Sequence, residues 1–209
     1  MTSTLGILIN SLVLVVFVNR YFAGFFFRAL RGRKFDETID GFEPTVTVVV
    51  PMFNEGAGIE RTIESLMAQT YPADKLNVMV IDDCSTDDSY QHATRTAARH
   101  GGRVKVVRNP VNTGKRRSIS RAVRATDAEI IVSVDSDVVV DEAAIGQLVR
   151  RFVCPQIAAV GGRVDIVNKH DNWLTRMQTV KYHFGYSFMK NLERSFRRVM
   201  CLSGCLTAY

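Results

Sequence analysis

The sequence predicts an α/β fold: a mostly parallel sheet flanked by helices and preceded by a transmembrane helix. Three observations predict it. Apolar, β-branched runs alternate with helical patterns from residue 45 to 167. Gly, Pro, Asn and Asp punctuate the joins between them. A separate apolar run occupies the first thirty residues.

That run comes first. Between Thr4 and Phe27 the only charged residue is Arg20. At ~1.5 Å per helical residue it is long enough for a hydrocarbon core of ~30 Å, so residues 1–30 are read as a transmembrane anchor. Asn10, Ser11, Asn19 and Arg20 interrupt it, and an interfacial helix is the alternative. Arg28, Arg31, Arg33 and Lys34 follow. The positive-inside rule then sets the N-terminus outside an inner or plasma membrane and the rest in the cytoplasm. Residues 31–44, polar and ending at Pro44, read as a linker.

The domain occupies 45–209. "TVTVVVPMF" (45–53) is a buried strand, and 59–69 is a helix with Ile59, Ile63 and Leu66 on one side. Strands at 76–83, 103–109 and 128–137 alternate with helices at 87–100, 115–126 and 141–153. An extended segment covers 156–167. In 173–198, Trp173, Met177, Val180, Phe184, Phe188 and Leu192 fall near helical spacing; the stripe suits a core or a membrane surface.

Composition bounds the partners. The net charge is +6 and four cysteines are present. Basic balance suits nucleic acid, anionic lipid headgroups or phosphorylated small molecules, and charge alone does not choose among them. The cysteines are too sparse for a disulfide scaffold and lack zinc spacing, so they read as cytosolic thiols, with a Cys201–Cys205 disulfide as the alternative. The basic stretch 103–124 has no interleaved aromatics, which argues against nucleic acid as partner. The four histidines lack ligand spacing and are given no function.

Ligands of parallel sheets sit beyond the carboxyl ends of the strands. Three polar clusters lie there. Asp135 and Asp137 close "VSVDSD"; as i and i+2 of an extended chain they share a face and suit a hard divalent ion such as Mg2+ or Mn2+. An Asx turn is the structural alternative. Asp82 and Asp83 end the second strand and suit a base N–H or ribose hydroxyls, whereas Asp87 and Asp88 read as structural. Asn54 caps the next helix and Glu55 reaches a base or ribose. Lys115, at a helix start after "NPVNTG", suits phosphate. It is not a P-loop, because Asn109 and Arg116 break the motif.

Ordered and spaced as they are, "VVVPMFNE", "VMVIDDCSTDDS", "NTGKRRSI" and "VSVDSDVVV" resemble the signatures of family 2 glycosyltransferases. The resemblance is closest to processive hyaluronan, chitin and chitooligosaccharide synthases. "VGGRVDIVN" and "VMCLSGCLTAY" extend it over 45–209. It implies a GT-A fold, a UDP-sugar donor, Mg2+ or Mn2+, a polysaccharide or glycan acceptor, membrane lipids as neighbours and inverting transfer. It carries nucleotide-sugar contacts to Pro51, Asn54, Glu55, Asp82, Asp83, Lys115, Asp135 and Ser136. It places metal contacts at Asp137 and Asp135, and an acceptor site at Cys201, Gly204 and Cys205. The family's acidic base motif has no match before Tyr209. The 45–209 segment is therefore expected to be the N-terminal part of the domain, binding UDP weakly and transferring no sugar by itself. An inert nucleotide-sugar-binding remnant or subunit, and a transferase acting on a lipid phosphate, are the rival readings.

Overall fold

The computed structural model describes residues 4–31, 38–190, 193, 199, 201, 202 and 204–209. It divides into two compact units, 1–36 with 163–201, and 37–162 with 202–209.

The second unit is the α/β domain. β1 (Val46–Met52), β2 (Leu76–Asp82), β3 (Val104–Arg108) and β4 (Ile130–Val134) form its sheet with two short strands, β5 (Val160–Gly161) and β6 (Leu206–Ala208). The strand order is β3-β2-β1-β4-β6-β5. β1 to β4 are mutually parallel, and β6 runs antiparallel to both β4 and β5. Parallel pairing sends the carboxyl ends of β1 to β4 to one edge, with β1 between β2 and β4.

Every residue of β1 is buried, which is why its run is continuous rather than alternating. On one face Val46, Val48, Val50 and Met52 pack with Ile59, Ile63 and Leu66 of α2 (Gly58–Met67) and Ile145 of α5 (Ala144–Val149). On the other, Val49, Met79 and Ile81 meet Ala122 of α4 (Lys115–Val123). Each such buried aliphatic contributes roughly 1.5–3 kcal/mol, so the sheet centre is the firmest part of the domain. The loops at its edge are mounted on that base.

α3 (Ser89–Ala98) lies against α2. His92 Nδ1 lies 2.6 Å from Glu60 Oε1, and His100 Nε2 lies 3.1 Å from Glu64 Oε2. Arg95 donates to Glu60 across 2.8 Å. The Glu60 carboxyl is lowered to about 2, first by Arg95 and then by His92. His92 is shifted upward, chiefly by Glu60. These histidines tie two helices together on the outside of the sheet.

Several sequence expectations change. Of the segment expected to be extended over 156–167, only Val160–Gly161 pairs as a strand. A Cβ at Gly162 would stand 2.5 Å from Leu206 Cδ2, so β6 runs hard against this segment. β6 was not expected, because three residues carry no periodicity of their own; Tyr209 and Ile131 exchange backbone hydrogen bonds that hold it. Part of the expected linker is docked, with Ile39 N–H donating to Arg150 O.

The first unit holds α1 (Thr4–Arg31) and α6 (Trp173–His183), the latter continued by a π-helical segment, Phe184–Met189. Asn172 caps α6 by accepting from Thr175 N–H. The stripe on α6 is not core: Trp173, Met177 and Val180 are 71%, 60% and 69% exposed. The Phe188 side chain and Leu192 lie outside the described residues. Along α1, Leu5, Leu8, Leu12 and Val16 are exposed. Among the described residues no helix is long and apolar enough to cross a membrane. The transmembrane helix expected over 1–30 is therefore not shown among the described residues.

Candidate active site at the carboxyl edge of the sheet

Each parallel strand delivers one polar loop to the shared edge. Beyond β2, Asp83 is 3% exposed. Its Oδ1 accepts from Asn109 Nδ2 at 2.7 Å and from the Thr113 hydroxyl at 3.0 Å. Its carboxylate also accepts from Thr113 N–H at 2.9 Å and Gly114 N–H at 2.6 Å. Burial alone would push this carboxyl up. The hydrogen bonds from Thr113, Asn109 and Gly114 outweigh it and bring the group to about 2. Gly114 holds φ +85°, a left-handed conformation that glycine tolerates, and so turns its N–H onto Asp83 just before α4 begins.

The next residue is Lys115, the first of α4. Its ammonium forms a close ion pair with Asp135 Oδ1. Asp135 also donates its N–H to Cys205 O at 3.2 Å. Beside it, the Ser136 hydroxyl donates to Glu55 Oε1 at 2.8 Å. The buried Thr62 hydroxyl of α2 holds Ser136 O at 2.7 Å. Glu55 N–H donates to Ser89 Oγ, and Asn54 N–H donates to Ser85 Oγ. Ser85 follows Asp83 by two residues. The contacts therefore close a circuit: Asp83, Gly114–Lys115, Asp135–Ser136, Glu55–Asn54 and back to Ser85.

Asp137 stands differently. It is exposed, and among the described residues it makes no hydrogen bond or ion pair. The strand ends at Val134, and Val138 N–H closes a turn onto Asp135 O. Asp135 and Asp137 therefore do not share the face of an extended strand. The turn leaves one carboxylate paired with a lysine and the other open.

Asp82 separates from the group. Successive side chains of a strand point to opposite faces. Asp82 is fully buried, and its Oδ1 accepts from Ser85 N–H at 3.1 Å. Its Oδ2 lies 3.0 Å from Arg108 Nε, an ion pair whose angle falls short of a hydrogen bond. Arg108 is further spent on Ser85 O and on the Tyr90 ring. This geometry commits Asp82 to contacts within the fold, with Ser85 and Arg108.

Asn54 does not cap α2. It sits at φ 54°, and its Oδ1 accepts from Thr86 N–H at 2.9 Å. Asp87 is structural as expected, accepting from Ser89 and from Gly56 N–H. Pro51 is buried inside β1, opposite Ile81. Cys84, Cys154, Cys201 and Cys205 form no disulfide among the described residues. Gly204 and Cys205 belong to the sheet unit, and Cys201 to the other. A Cβ at Gly204 would meet Lys115 Nζ at 3.7 Å, which sets this segment beside the lysine. Ser203 lies outside the described residues.

Asn109, Thr113 and Thr62 were missed by sequence reasoning. Asn109 is the hub of its loop, donating to Asp83 and Ser118 while accepting from Arg121. An Asn four residues before a Thr-Gly pair at a helix start was the available signal.

Among the described residues no three His, Cys, Asp or Glu side chains gather to hold a metal by themselves. The donor set still fits a hard divalent ion, which takes one or two carboxylates and completes its shell with phosphate oxygens and water. A hollow of about 380 Å3 lined by Arg163, Lys169 and His183 lies in the other unit and holds none of the convergent groups.

Residues 47–209 match the model of Glycosyl transferase family 2. The chain belongs to this family. The glycosyltransferase is 31% identical over 167 residues to an N-acetylglucosaminyltransferase of Azorhizobium caulinodans, covering 79% of this chain and 42% of that protein. It is 27% identical over 212 residues to a hyaluronan synthase of Streptococcus pyogenes, covering 100% of this chain and 48% of that one. It thus spans less than half the length of these curated relatives. A solved mannosyltransferase from Pyrobaculum calidifontis, in complex with GDP-Man and Mn2+, matches with a TM-score of 0.76 and 23% identity. That match covers 95% of this chain and 54% of the other, and at this identity it speaks for the fold alone. The fold is GT-A-like, as the resemblance implied.

Proposed function

We propose that this family 2 glycosyltransferase domain binds a UDP-sugar at the carboxyl edge of its sheet and serves inverting transfer to a growing polysaccharide. The observation that carries the reading is the closed circuit of contacts joining Asp83, Lys115, Asp135, Ser136 and Glu55, with Asp137 open beside it. The named relatives, an N-acetylglucosaminyltransferase and a hyaluronan synthase, favour GlcNAc or GlcA as the sugar.

The roles follow from the chemistry of each group. Asp83, an acceptor of hydrogen bonds on a firm base, would receive the ring N–H of uracil. Glu55, held by Ser136, would frame the ribose. Asp137 and Asp135 would hold Mg2+ or Mn2+, which supplies positive charge against the departing diphosphate. Lys115 would add its ammonium to the same phosphates. Gly204 and Cys205, beside Lys115, would border the acceptor, whose hydroxyl attacks the anomeric carbon from the side opposite UDP. That attack needs a general base, and none of the residues placed here has that role.

The exposed apolar side chains of α1 suit contact with lipid. The cluster Arg28, Arg31, Arg33 and Lys34 suits anionic headgroups at the cytoplasmic face of a plasma membrane.

Isothermal titration of the 209-residue chain tests the reading. UDP is expected to bind in Mn2+ about 10-fold more tightly than in EDTA, and more tightly than GDP. Equal affinity for both nucleotides, or no effect of the metal, would contradict it.

A further inference from the structure

The Lys115–Asp135 pair has a consequence beyond phosphate binding. Lys115 reaches Asp135 from the first residue of α4, and its side chain is 50% exposed against 25% for Asp135. Half-exposed pairs of this kind are readily exchanged for other partners. While the ammonium holds Asp135, a divalent ion there would face a like charge. Asp137 alone offers one carboxylate, too few donors for a hard cation.

A nucleoside diphosphate solves both problems together. Its oxygens complete the shell of a divalent ion and offer the ammonium a new anionic partner. The four-carbon stem of lysine lets the charge swing without moving α4. The same short segment carries the base contact: Gly114 N–H is bound to Asp83, one residue before Lys115. A Cβ on Gly204 would stand 3.7 Å from the ammonium, so the 204–205 segment borders the exchange.

We propose that Lys115 is a stand-in cation at Asp135, so that a divalent metal enters the site together with the nucleotide diphosphate and not before it. The proposal rests on the UDP-sugar reading of this edge. It makes Lys115 a positioning residue for the order of binding as well as a phosphate contact.

Mn2+ electron paramagnetic resonance titration without nucleotide, on the full chain, tests it with wild type, Lys115→Met and Lys115→Arg. Lys115→Met should bind free Mn2+ about 5-fold more tightly than wild type. The same variant should bind UDP in saturating Mn2+ about 10-fold more weakly, having lost a charged partner of the phosphates. Lys115→Arg keeps the cation and should stay within about 2-fold of wild type for free Mn2+. Circular dichroism melting confirms that each variant is folded. If wild type binds UDP with Mn2+ but Lys115→Met gains no affinity for the free ion, the stand-in role is overturned. If wild type binds neither UDP nor Mn2+, the reading of the site falls, and the exchange with it.

Discussion

Replacing Asp137 with Ala should weaken UDP binding in Mn2+ about 10-fold, down to the affinity seen in EDTA, because the metal's contribution is lost with its ligand. The melting temperature should stay within about 2 °C, because surface substitutions of unpartnered side chains fall within about 0.5 kcal/mol. Asp137 is exposed and free of internal contacts among the described residues, so nothing in the fold leans on it. Binding in EDTA should be unchanged, since the metal is the link between this carboxylate and the diphosphate. Titration calorimetry in Mn2+ and in EDTA, paired with thermal melts, separates the two effects. Equal losses in both buffers would show that Asp137 acts by another route.

Asp83 should behave in the opposite way. Asp83→Asn should cost about 2–3 kcal/mol of stability, the range for a buried charged acceptor whose donors are left without it. In a domain of this size that lowers the melting temperature by roughly 4–12 °C. An amide would turn N–H groups toward Thr113 and Gly114, which are themselves donors. UDP binding should fall as well, in Mn2+ and in EDTA alike. The carboxyl is depressed to about 2, against about 3.9 in an unfolded chain. A depressed acid stabilises the fold above its unfolded value and loses that contribution as pH drops through its folded value. The 109–114 loop should therefore loosen between about pH 4 and pH 2, and Asp83→Asn should flatten this limb of the stability curve. Denaturant melts across that range check it, and an unchanged acid limb in the variant would count against the assignment.

These contrasts show what the sequence could and could not reveal. β1, β2 and β4 were legible to within a few residues, because a strand buried on both faces needs an unbroken apolar run. The edge where function gathers was legible for the same reason, since parallel strands all end on one side. The facing of Asp82 and Asp83 was not: alternation says that they point apart, but only the packed sheet decides which one meets Arg108 and which the 109–114 loop. The pairing of Asp135 with Lys115 was hidden because it joins residues 20 positions apart through the left-handed Gly114. The shared face expected for Asp135 and Asp137 failed because the strand stops at Val134. Of the two readings left open for the α6 stripe, core or surface, its exposure removes the core one.

The central claim is that loops from four neighbouring strands meet one nucleotide. Hydrogen–deuterium exchange of the full chain, with and without UDP and Mn2+, tests it most directly. UDP with Mn2+ should slow exchange together in 54–56, 83–86, 109–115 and 135–138, while α3 stays unchanged. Protection confined to 163–184, or none at these four loops, would contradict the account.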